Sequence, residues 1–170
     1  MKQIINNRYL KSASFNSYDE LNKYVTSLKV KNGLNLQDTF GENYYCYTSI
    51  DSLTSENEFY ITFSTDEKEE YLSVLLWDTA NLFLLNSGTK LYFITCDLTI
   101  IGSFEITSPL VGLYVLTNDR ILILEETTLR VVNSNGKIDR EELFDLMLNF
   151  HMEGNRLSIM TEENEHVYVL

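Results

Sequence analysis

From Glu58 onward, hydrophobic and polar positions alternate with the period of a strand. Phe59, Ile61 and Phe63 interleave with Tyr60 and Thr62, which assigns one set to each face of a sheet. Three longer stretches follow: "LLWDTANLFLLNSGTKLYFI" (75–94), "YVLTNDRILILEETTLRVV" (114–132) and "FHMEGNRLSIMTEENEHVYVL" (150–170). Each reads as a strand, an Asn-containing turn, a strand, a second polar turn and a third strand. Trp77 corresponds to Leu116 and Met152, and Leu82 to Ile121 and Leu157, at spacings of 39 and 36 residues. "TCDLTI" and "NSNGKI" fall between the copies, each opening a further strand.

A four-stranded repeat of this period resembles a propeller blade, but a ring needs at least about four blades. With barely three units, the chain is expected to form a long antiparallel meander rolled into a sandwich or open barrel. LFLL, LYVL and ILIL are apolar at every position, so each of those strands needs cover on both faces.

The N-terminal third follows another pattern. Ser17-Tyr18-Asp19-Glu20 has the spacing of a capping box, and Tyr18, Leu21, Val25 and Leu28 recur at helical intervals. A helix is predicted over 18–28, ended before Asn32-Gly33, with strands at 3–9 and 44–50. The helix is one candidate cover for the apolar strands. The expected organisation is one domain, 1–170, mainly β and α+β overall. Residues 1–57 form a helix-containing cover and 58–170 the repetitive meander.

Composition agrees with strands: the 170 residues include 11 Tyr, 9 Phe and a single Pro, and aromatics favour sheets. Hydrophobic residues make up 44% and charged residues 22%, the balance of a soluble globular chain. No apolar run is long enough to span a bilayer. The start has no apolar segment followed by a small-residue cleavage site, so no secretory signal is predicted. Cys46 and Cys96 then read as free thiols in a reducing, cytoplasmic setting. The net charge of −12 argues against nucleic acid and anionic membranes, which need Lys and Arg. It suits a basic protein partner.

The placement of that charge sharpens the reading. In a meander, alternate turns share an edge. One edge collects Asp66, Glu67, Glu69, Glu70, Glu125, Glu126, Asp145, Glu162, Glu163 and Glu165 against Lys68 alone. The other collects Asp78, Asp97, Asp119 and Glu153 against Arg120, Lys137 and Arg156. Glu125 and Glu126, wedged between "ILIL" and "TLRVV", would thus belong to an acidic rim rather than stand as a local oddity. Acidic turns also protect sheets from edge pairing and need no partner to do so.

Other chemistry finds little support. "NSNGKIDREELF" imitates a calcium loop around Gly136, but Val131 stands where the first carboxylate belongs, and Asn-Gly is itself a turn signal. Cys46, Cys96, His151 and His166 show no zinc spacing. No glycine-flanked serine or phosphate-cradling glycine loop is present. No catalytic residue, metal or cofactor is assigned. Tyr44, Tyr45 and Tyr47 in "NYYCYTSI" are candidate interface anchors.

The expectation is a non-catalytic acidic module that caps a basic protein. Asp66, Glu67, Glu69, Glu70, Glu125, Glu126, Glu162, Glu163 and Glu165 would make the contact. In size and acidity, though in no motif, the chain is similar to the immunity proteins that inhibit bacterial toxins. The rivals are a structural or assembly module, including a homo-oligomer, and a small-molecule binder or enzyme.

Overall fold

The computed structural model describes residues 4–5, 8–117 and 119–170. Its first sheet contains β1 (Ile4–Ile5), β2 (Arg8–Phe15), β3 (Gly33–Asn35), β4 (Asn43–Asp51) and β5 (Asn57–Thr65), in the order β1-β2-β4-β5-β3. Only the β3–β5 pair is parallel. The second sheet is the meander β6 (Ser73–Trp77), β7 (Leu82–Asn86), β8 (Lys90–Thr95) and β9 (Ile100–Glu105). The third is β10 (Leu110–Thr117), β11 (Arg120–Glu125), β12 (Thr128–Asn133) and β13 (Ile138–Leu143). The fourth has three strands, β14 (Met147–Glu153), β15 (Arg156–Thr161) and β16 (Glu165–Val169). The fold is mainly β and antiparallel, as the alternation predicts, with a single α-helix among the described residues.

The meander is divided into sheets packed face to face. β7 shows why its strands are apolar throughout. Phe83 and Leu85 point back into a core shared with Tyr45, Ile61 and Phe63 of the first sheet. Leu82 and Leu84 point forward into a core with Ile121, Ile123 and Val132 of the third. In β11, Leu122 and Leu124 pack with Leu157 and Ile159 of the fourth. Each interior sheet is therefore covered on both faces by other sheets, and each such Leu or Ile contributes roughly 1.5–3 kcal/mol.

This packing corrects the repeat alignment. Ile121 and Leu157 face the preceding sheet, whereas Leu82 faces the following one. Phe83 is the true counterpart, because a slip of one residue inverts every side chain of a strand.

The helix α1 (Tyr18–Ser27) packs on the first sheet, not on the repeats. Its Tyr24 lies 5.0 Å from Phe15 and its Tyr18 6.0 Å from Tyr44, ring centre to ring centre. The Glu20 amide donates to Ser17 Oγ at 3.3 Å, and the Glu20 carboxylate accepts from the Asn16 amide at 3.2 Å. The capping box thus closes on Asn16 rather than on the Ser17 amide. Residue 3 and residues 6–7 of the expected first strand lie outside the described residues.

Candidate acidic interface

Short hydrogen-bonded crossovers carry the chain from sheet to sheet and tie the turns of one edge together. The Ile106 amide donates to Thr89 O, the Glu126 amide to Pro109 O, the Phe144 amide to Thr127 O and the Met147 amide to Glu126 O. Met147 in turn pairs with Thr161, next to the 162–164 turn. On the first sheet, the Glu42 amide donates to the Asp66 carboxylate at 2.8 Å, bringing the 36–42 loop to the same edge. The segments carrying Asp66, Glu67, Glu69, Glu70, Glu126, Asp145, Glu162, Glu163 and Glu165 therefore share one rim.

Most of these carboxylates are exposed, with Glu67 and Glu126 half-buried. Lys68 approaches Glu70 at 3.9 Å. Among the described residues no ion pair reaches Asp66, Glu67, Glu69, Glu126, Asp145, Glu162, Glu163 or Glu165.

Glu125 does not belong with them. It is 0% exposed, on the β11 face that looks toward the second sheet. Its carboxylate pairs with the buried Arg130 and accepts from the Thr107 amide at 2.7 Å, the Ser108 amide at 3.1 Å and Thr107 Oγ1 at 3.1 Å. A buried carboxylate is tolerated where it is paired and hydrogen-bonded in this way. The side-by-side glutamates thus divide their work: Glu125 fastens the 106–109 crossover and Glu126 faces the rim.

Two of the three tyrosine anchors are corrected too, while Tyr44 is half-buried. Tyr45 and Tyr47 are 6% and 8% exposed and stack on Phe63 at 5.5 and 6.0 Å. Burial, with the Glu69 charge adding to it, pushes the Tyr47 phenol up to about 12. Apolar exposure on the rim comes instead from Phe40, 83% exposed, and from Tyr71, Leu143 and Leu146. No periodic pattern marks these four; Tyr71 is signalled only by its place after the acidic run.

The rim also holds a fixed ion pair. Lys90 Nζ lies 2.8 Å from the Asp38 carboxylate, which accepts from the Tyr92 hydroxyl at 2.9 Å. The Lys90 hydrogen bond holds the Asp38 carboxyl below its usual range. Asp38 and Glu42 were not expected here, because their placement depends on a loop returning across the sheet.

Among the described residues, no group of three or more His, Cys, Asp and Glu side chains is placed to hold a metal ion. No helix among them is long and apolar enough to cross a membrane. Asn133 to Lys137 form a turn: Asn133 Oδ1 accepts from the Asn135 and Lys137 amides, and Gly136 has φ +79°.

No family model and no curated protein matches the sequence. Among solved structures, the chain is similar to the crystal structure of BamB from Moraxella catarrhalis, at 14% identity and a TM-score of 0.49. The likeness covers 73% of this chain and 39% of that one.

Proposed function

We propose that this protein is a non-catalytic binding module whose acidic rim docks a basic protein surface, in the manner of an immunity-type inhibitor. One observation carries the reading. Carboxylates from loops of the first, third and fourth sheets share an edge with exposed Phe40, Tyr71 and Leu146. Charge of one sign speeds and orients encounter, while exposed aromatic and aliphatic side chains are the groups that supply affinity at interface centres. Self-repulsion among unpaired carboxylates is relieved by a cationic partner.

The test is the association rate of the basic partner captured from the native host. Reversing Glu162, Glu163 and Glu165 to Lys is expected to slow association by about tenfold or more at low salt, with a smaller effect at high salt. An unchanged rate at low salt overturns the reading. Glu125 is excluded from this test, because its reversal would attack the fold.

A second reading rests on the fourth sheet. Its face away from the third sheet exposes Met160, Val167 and Val169, on a fold otherwise built by stacking sheets. Self-association through that face would persist at high salt. Sedimentation equilibrium distinguishes it, since the rim reading expects a monomer in the absence of the partner.

A further inference from the structure

We propose that the cleft between β6 and β10 is a socket for one cationic side chain of the partner; this rests on the rim reading and names where its anchor enters. A cavity of about 520 Å³ opens there, lined by β6 and β10 and by the turns around Gly88 and Ser108. That volume lies within the roughly 300–1,000 Å³ of small-ligand pockets. Among the described residues neither strand has a second neighbour: β6 pairs with β7, and β10 with β11.

Glu67 and Glu70 line this cavity from the rim. Gly88, at φ +95°, makes room for Glu67, since a Cβ there would meet Glu67 Cγ at 2.3 Å. At the start of β6, Ser73 Oγ is buried and lacks a hydrogen-bond partner among the described residues. Ser73 shares a face with Leu75 and Trp77, the face that looks onto the third sheet. Leu75, Leu110 and Leu113 add apolar wall.

Each feature answers one part of an arginine or lysine side chain. The carboxylates attract the charge, the leucines cover the aliphatic stem, and the buried hydroxyl accepts an N–H that no group among the described residues supplies. An anion is repelled by Glu67 and Glu70. A purely apolar group leaves Ser73 Oγ without a donor.

The probes are Nα-acetyl-arginine amide and its uncharged isostere Nα-acetyl-citrulline amide, titrated into the isotopically labelled full chain and followed by amide NMR shifts. Arginine amide is expected to shift Ser73, Leu75, Thr107 and Leu113 saturably, and Glu67→Gln with Glu70→Gln to weaken it by about tenfold or more. Equal binding of citrulline amide, or shifts confined to Asp145 and Glu162 to Glu165, overturns the socket. A second measurement separates the socket from the rim. Thr89→Trp, at an exposed turn position lining the cleft, should weaken binding of the captured basic partner. If it leaves that binding unchanged while reversal of Glu162, Glu163 and Glu165 abolishes it, the socket fails and the rim stands. If neither change matters, both fail.

Discussion

Arg130 meets Glu125 from the neighbouring strand inside the interface of the second and third sheets, and both side chains are buried. The same guanidinium bonds Glu141 through Nε at 2.7 Å and lies 5.2 Å over the Phe104 ring. Removing Glu125 leaves the buried guanidinium with only its bond to the partly exposed Glu141. Glu125→Ala is expected to lose about 3–5 kcal/mol of unfolding free energy, while the paired change Glu125→Leu with Arg130→Met recovers most of it. Urea unfolding of the three proteins checks this. Equal losses in the single and paired variants would mean that packing, not charge, accounts for the site.

The Asp38–Lys90 pair gives the rim a pH dependence of known sign. The Asp38 carboxyl is held below its ordinary 3.8, so the folded chain binds fewer protons than the unfolded one in that range. The stabilisation is complete above the ordinary value and is lost as pH falls through the lowered one. Both side chains are partly exposed, so Asp38→Asn is expected to cost under about 1 kcal/mol at neutral pH. The unfolding midpoints of mutant and wild type should converge as pH falls through and below the ordinary carboxylate range.

The two thiols should differ in reactivity. Burial pushes the Cys46 thiol up to about 11, and the residue is fully enclosed. Cys96 is raised as well, first by burial, but is only half-buried. Because the thiolate is the nucleophile, iodoacetamide at mildly alkaline pH should modify Cys96 slowly and Cys46 only when the fold opens. Peptide mass spectrometry over time reads the order directly. Faster labelling of Cys46 would contradict the packing of the first sheet.

Ser17 caps a helix with few tertiary contacts. Ser17→Ala removes the acceptor for the Glu20 amide and is expected to cost about 0.5–2 kcal/mol. Hydrogen exchange should localise the effect to the amides of α1, leaving β7 and β11 unchanged.

Strand positions from β5 to β16 were legible because their cause is local, except over 139–150, where the pattern left strand or helix open. Alternation marks Phe59 to Phe63, and Asn-bearing turns divide the long runs. The same local signals placed a helix at 18–28, where α1 spans Tyr18–Ser27. Residues 138–143 and 147–153 are strands too, so the turns keep the alternation on which the grouping of acidic loops depends. The fate of Glu125 was not legible. It differs from Glu126 only in which β11 face it occupies, and the donors that bury it come from Thr107 and Ser108, on a different crossover. Phe40 and Leu146 were missed for a related reason: their exposure follows from how loops cross the sheet ends.

Sequence alone thus determined the antiparallel strands, their turns and the concentration of negative charge in alternate loops, since dihedral preference and period-two patterning act over a few residues. Only tertiary structure decided that the meander divides into stacked sheets, which faces "LFLL" and "ILIL" present to which neighbour, and which of two adjacent glutamates meets solvent. An all-apolar strand satisfies any two-sided cover equally well. The choice among covers therefore rests with contacts between residues distant in the chain.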